Sequence, residues 1–156
     1  MKDKRGEGYI LPCVLIIMLC IILSVIVMVV NAVNVVKAVK RNSITVLDSY
    51  VVTNAVEIYN SIKQGNDYIS ALDEDEYVER FVRFGSLQKK GDRYVSYDAD
   101  GESQYEISRP HICFVTDRSL KIKVEYTVYV PIWFAGAQFA TAEVPVTVES
   151  DLNAKK

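Results

Sequence analysis

The sequence predicts an α+β protein, with one long N-terminal transmembrane helix that continues into a small antiparallel β-sheet head. Three observations predict it. Gly8 to Val36 carries no charge and is mostly Val, Ile, Leu, Met and Cys. Beyond it, apolar residues recur at three- and four-residue steps as far as Ile62, the spacing of one helix face. From Ser86 onward turn residues separate short apolar segments, and the period falls toward that of strands.

The charge-free run exceeds the about 20 apolar residues that a spanning helix needs. Inside lipid a backbone satisfies its own hydrogen bonds only as a helix or a closed barrel. A cleavable signal peptide is the rival reading, with Val30-Asn31-Ala32 as the cleavage site. Its apolar region would span only about 7–15 residues, and this run is longer. Lys2, Lys4 and Arg5 precede the run, and Lys37, Lys40 and Arg41 follow it. The positive-inside count therefore ties, and the N-terminal amine tips it toward a cytoplasmic N-terminus and an extracytoplasmic head.

Past the span, Ile44, Leu47, Val51, Ala55, Ile58 and Ile62 fall on one helix face, expected to pack against the sheet. Gly65-Asn66 then ends the helix, since both residues tolerate the left-handed conformation. One helix from about Tyr9 to Gln64 would be roughly 80 Å long. Pro12 lies near its start, where a missing N–H costs least. A second helix is predicted over Asp73 to Phe84, capped by Ser70 or Asp73. It has an acidic first turn, Arg80 and Arg83 near its end, and Tyr77, Val78, Phe81 and Val82 as its apolar face.

Lys90-Gly91-Asp92 and Asp98 to Gly101 are turns that flank a strand from Arg93 to Tyr97. Gln104 to Ile107 and His111 to Val115 are strands separated by Arg109-Pro110. Leu120 to Val130 alternates most clearly, and Ala135-Gly136 turns the chain into a return strand from Phe139 to Glu149. Pro131 and Pro145 place bulges or edges in this pair. The chain thus divides into a basic leader at 1–8, a transmembrane helix at 9–36 and its amphipathic extension at 37–64. An α+β head at 65–150 ends in a β-hairpin, and a tail follows at 151–156.

The chain has 18 Lys and Arg against 20 Asp and Glu, which gives no basic footprint for nucleic acid. Cys13 and Cys20 lie in the span, so Cys113 has no partner for a disulfide within the head. The one histidine, His111, is two residues from Cys113 in a predicted strand, which puts both on one face. No orienting third group accompanies this pair, so it reads as an ordinary strand and not as a nucleophile with its base. Asp73 to Glu76 reads as a solvated first turn and not as a cation site. Asp98, Asp100 and Glu102 lack the further ligands of a calcium loop and read as a polar hairpin turn. No catalytic constellation, metal site, cofactor or small-molecule substrate is expected. Asn31 and Asn34, one turn apart at the outer end of the span, are candidates for a helix–helix interface, or else mark the headgroup region, where polar residues cost little.

The segment Arg5-Gly6-Glu7-Gly8-Tyr9 stands at the membrane entry. Val124-Glu125-Tyr126-Thr127 and Val144-Pro145-Val146-Thr147-Val148 form the final hairpin. With the overall layout, these stretches resemble type IV pilin-like proteins, in particular the tight-adherence (Tad) pathway pseudopilins of the TadE-like group. The resemblance implies a leader processed around Gly6, Glu7 and Gly8. It also implies pilin or pseudopilin subunits and pilus-assembly membrane proteins as partners, besides the lipid bilayer. Processed members of the family carry a glutamate five residues after the cut. Here a cut after Gly6 places Leu11 there, and a cut after Gly8 places Cys13. The expectation is therefore a non-enzymatic minor or assembly subunit at the plasma membrane. The alternative is a bitopic membrane protein whose extracytoplasmic head binds a ligand or another protein.

Overall fold

The computed structural model describes residues 7–64, 73–116, 120–134 and 136–151. The elements in chain order are α1 (Glu7–Lys63), α2 (Glu74–Phe84), β1 (Gln88–Lys90), β2 (Arg93–Tyr97), β3 (Ser103–Ser108), β4 (His111–Thr116), β5 (Leu120–Phe134) and β6 (Ala137–Asp151). The predicted class holds: a long apolar N-terminal helix followed by an antiparallel sheet head. Of the expected helix-ending residues, Gly65-Asn66 and the alternative cap Ser70 lie outside the described residues.

α1 runs unbroken through Pro12. Its interior polar side chains return to the helix, with Thr45 donating to the Arg41 carbonyl, Thr53 to Ser49 and Asn54 to Tyr50. α2 is short and well delimited. Asp73 caps it, its Oδ1 accepting from the N–H groups of Asp75 and Glu76. At the other end Leu87 N–H reaches the Val82 carbonyl and Ser86 N–H the Arg83 carbonyl. This is the two-bond closure usually built around a left-handed glycine. Here Ser86 takes that conformation, with φ 51°, and not the neighbouring Gly85. Gly85 serves a different end, since a Cβ there would meet Leu87 Cγ at 3.1 Å.

The sheet is antiparallel in every pairing. β5 organises it. β6 pairs along one edge of β5 from Lys121 to Phe134. The other edge is shared end to end by β4, opposite Leu120 to Glu125, and β3, opposite Val128 and Tyr129. The break between them falls at Arg109-Pro110, and Ser108 Oγ fills it by accepting the Thr127 N–H at 2.8 Å. β2 and β1 continue outward from β3. Both strand prolines sit where the ladder tolerates them. Pro145 is on the edge strand β6, and Pro131 lies past the last β3 pairing. The bulge itself falls one residue beyond Pro131, between Ile132 and Trp133. β5 and β6 reach further than the sequence pattern indicated, to Phe134 and from Ala137, and β1 is a short strand that the pattern did not mark.

The core lies between the inward face of the sheet, α2 and one face of the second half of α1. From α1 it takes Val39, Val46, Leu47, Tyr50, Val51 and Ile58. Opposite them are Ile122, Val124, Tyr126 and Val128 of β5, Val146 and Val148 of β6, and Tyr77, Val78 and Phe81 of α2. Within the expected α1 stripe, Leu47, Val51 and Ile58 are buried and Ala55 is half-buried. Ile44 is a correction, being 38% exposed, and the Ile62 side chain lies outside the described residues. The buried face is turned away from Ile44 toward Ser43, Val46 and Tyr50. Val52, Val56 and Tyr59 carry the apolar character of α1 on around the opposite side, where they are exposed. A helix apolar around so much of its circumference has no stripe whose centre spacing alone can locate.

A small polar knot ties α1 to the head inside this core. Ser43 Oγ and Tyr77 Oη are 2.9 Å apart, both residues fully buried. Tyr126 Oη is buried beside them without a hydrogen bond of ordinary geometry. Tyr50 Oη donates to the Asp73 carbonyl at the start of α2. Burial raises all three phenols, Tyr50 and Tyr126 to about 12, and so keeps them neutral.

The face assignment is tested by truncation. Leu47 is 0% exposed and Val52 is 76% exposed. In urea unfolding of the detergent-solubilised full chain, Leu47→Ala is expected to cost about 3 kcal/mol and Val52→Ala less than about 0.5 kcal/mol. Ser43→Ala leaves the Tyr77 hydroxyl buried and unpaired, and the same measurement is expected to show a loss of about 1–3 kcal/mol.

Candidate functional site

The polar clusters of the head resolve into structural roles. Glu74 and Asp75, at the start of α2, both pair with Arg109, at 3.1 and 2.7 Å. Glu74 also meets His111 Nδ1 at 2.9 Å and accepts the Ile112 N–H. Glu76 pairs with Arg80 one helical turn on. The acidic first turn is therefore a clasp that holds α2 against the bend between β3 and β4. It also engages the imidazole that the sequence sets near Cys113. Asp98 Oδ1 accepts from the N–H groups of Asp100 and Glu102, and Gly101 turns at φ 82°. That is a self-contained hairpin turn. Among the described residues no three His, Cys, Asp or Glu side chains are placed to hold a metal ion.

On the outer sheet face Arg93 stacks over the Tyr129 ring at 3.9 Å and pairs with Glu106 at 2.9 Å. With Trp133, Gln138 and Thr141 these side chains border a shallow groove of about 430 Å³. The groove mixes polar and aromatic side chains along its length.

The distinctive surface is apolar. None of the side chains in the apolar window of α1 is buried, from Ile10 through the whole first half of the helix. Cover by the head starts at Ala32, with Val35 and Val36 also half-buried against its core. This lies within the expected 9–36 span. Asn31 and Asn34 are both exposed. Asn31 borders a groove of about 340 Å³ between α1 and the head, with Met28, Val35, Asp98, Glu102 and Trp133. Asn34 does not line that groove, so the two amides have different neighbours. Of the expected leader residues, Glu7 and Gly8 form the first turn of α1 and Gly6 lies outside the described residues.

Residues that spacing did not single out carry the α1 side of the junction of helix and head: Ser43, Val46 and Tyr50. Tyr50 stands three residues after Leu47 and four before Asn54, so the helical period contained it. Its hydroxyl made it resemble a surface residue.

The clasp has a pH signature. Burial raises the Glu74 carboxyl, but the Ile112 N–H, Arg109 and His111 outweigh that and hold it below its ordinary value of 4.5. A carboxyl depressed in the folded state stabilises the fold fully above its unfolded value, and the contribution is lost as pH falls through the folded value. The melting temperature is therefore expected to drop as pH is lowered from about 5 toward 3, and to drop less in Glu74→Gln. Parallel pH profiles of the two proteins by circular dichroism check this.

Compared with known proteins, the chain matches no family model, no curated protein and no solved structure.

Proposed function

We propose that the chain is a membrane-anchored, pseudopilin-like minor or assembly subunit of a Tad or type IV pilus-like secretion or adhesion machine. Its N-terminus lies in the cytoplasm and its head outside the plasma membrane. One observation carries this reading: α1 is a single helix from Glu7 to Lys63, and the head buries side chains of α1 only in its second half. The uncovered first half is apolar on every side. In water that surface is untenable, so it requires lipid or a jacket of other helices. Lipid tails and packed aliphatic side chains are similarly apolar, so one helix suits either setting, and packing decides between them. The exposed strip of Val52, Val56 and Tyr59 extends the same surface past the membrane boundary. A neighbouring subunit's helix would lie along it.

Leu11 and Cys13 stand where a processed pilin would carry its acidic residue. This favours a minor, tip-initiating or unprocessed assembly component over a bulk filament subunit. The partners are other pilin or pseudopilin subunits and the membrane proteins that assemble them.

Two measurements test the reading. In cells stripped of their wall, a membrane-impermeant thiol reagent is expected to label a cysteine placed at Asp100, on the exposed turn between β2 and β3. Labelling only after lysis would reverse the orientation. Photo-crosslinkers at Val27 and at Val56 are expected to capture pilin-like subunits from the same cells. If neither position captures such a protein, while membrane retention is normal, the subunit reading falls and a bitopic binding head takes its place.

A further inference from the structure

The β5–β6 hairpin does not stop where the head stops. Ala140 of β6 lies level with Val25 to Val29 of α1, where Ile21, Met28, Ile132 and Phe139 line the same wholly apolar groove. At its other end β6 is tied to α1 by Ser150 Oγ donating to Asp48 Oδ1 at 2.7 Å. Ten residues of strand rise about 33 Å, and the twenty helical residues from Met28 to Asp48 rise about 30 Å. The hairpin is thus a strut laid along α1, and its tip overlaps the apolar half of the helix.

The tip has the composition of a lipid-facing surface. No charged residue occurs between Glu125 and Glu143, although Lys121, Lys123, Glu125, Glu143, Glu149 and Asp151 crowd the rest of the hairpin. Phe139 is 81% exposed, more than any other large apolar side chain described, and Trp133 is 43% exposed. Phe139 projects almost free of cover, whereas Trp133 is partly covered where it borders two grooves.

We infer that the tip of the β5–β6 hairpin enters the outer leaflet beside α1, with Phe139 below the hydrocarbon boundary and Trp133 at it. This rests on the membrane anchoring proposed above. Its ground is continuity with the spanning helix. A span of about 20 residues starting at Ile10 ends near Val29. Whatever stands level with Ile21 to Val29 then stands level with the outer part of the hydrocarbon. Trp133 borders Met28 and Asn31, the height at which the helix leaves lipid and where indole rings settle best. Pairing of β5 with β6 through Phe134 and Ala137 satisfies the backbone groups that face between the strands, and the outward-facing groups on the two free edges confine the insertion to the shallow, headgroup side of the leaflet. The occupant of the apolar groove is thus a lipid acyl chain.

Trp133 is the only tryptophan in the chain, so its fluorescence reports the tip alone. The full-length protein is reconstituted into phosphatidylcholine vesicles, plain or with dibrominated acyl chains, and vesicle-bound protein is collected by flotation. The expected result is a blue-shifted Trp133 emission, strongly quenched by brominated lipid and protected from aqueous iodide. Phe139→Asp is expected to reverse both preferences while the protein still floats and keeps its circular dichroism. Flotation with iodide quenching and no bromolipid quenching would overturn the insertion and leave the anchor intact. Protection from both quenchers would overturn it in favour of a second copy covering the tip. Failure to float would remove the anchor, and the insertion with it.

Discussion

The second half of α1 cannot stand alone in water. Leu47, Tyr50, Val51 and Ile58 would expose a continuous apolar face, and an isolated helix draws too little from its own hydrogen bonds to offset this. The sheet and α2 supply the cover, and their positions follow from that need. β5 is the central strand because three strands pair with it, β6 along one edge and β4 and β3 along the other, and its inward side chains Ile122, Val124, Tyr126 and Val128 meet the helix. α2 completes the layer by placing Tyr77 between Tyr50 and Phe81, edge-on to one ring and stacked on the other. The Ser43–Tyr77 hydrogen bond fixes the rotation of α1 under this cover, because turning the helix would strand two hydroxyls in an apolar interior. The exposed faces of α1 are what this arrangement leaves over. The surface of α1 left uncovered is therefore set by the packing of the head.

Most of the element order was legible in the sequence. The charge-free run, the Asp73 cap with its acidic first turn, the glycine turns at Gly91, Gly101 and Gly136 and the alternation through β5 all act locally, so their signals sit in a few adjacent residues. The rotation of α1 was not legible in the same way. Ile44, Val52 and Val56 are as apolar as Leu47 and Val51, and only contact with a sheet distant in sequence distinguishes the two sets. The hydroxyl knot was missed for a related reason. Ser43 and Tyr50 look polar until their partners, Tyr77 and the Asp73 carbonyl, are brought to them. The end-to-end sharing of one β5 edge by β3 and β4 depends on Ser108 substituting for a ladder bond, which no spacing rule encodes.

Among the described residues, the charged clusters hold elements together. Arg109 and His111 close the bend between β3 and β4 onto the first turn of α2, and Arg93 lies flat on Tyr129 with Glu106 beside it. These pairs are largely solvent-exposed, where an individual ion pair contributes little. Their joint effect is to set where α2 and the sheet meet, since Glu74 alone bonds three groups of the β3–β4 segment.

Two charge-free segments far apart in the chain, Gly8 to Val36 and Tyr126 to Ala142, come to lie side by side. Folding a head stably in water would not require that alignment, because the outward positions of a hairpin are cheapest when polar. A bilayer boundary would require it. Moving α1 inward by two turns, about 11 Å, would carry Lys37 and the acidic Asp98–Glu102 turn toward hydrocarbon, where each charge costs roughly 3 kcal/mol at the centre. Moving it outward would bring Phe139 and the apolar side chains of Val25 to Val30 into water, at roughly 1.5–3 kcal/mol for each large side chain fully exposed. Both penalties act on one rigid unit, because the strut between Met28 and Asp48 binds hairpin and helix together. The depth of the protein in the membrane is then set by head and helix jointly, and a helix leaving lipid for a bundle would have to lift the hairpin tip with it.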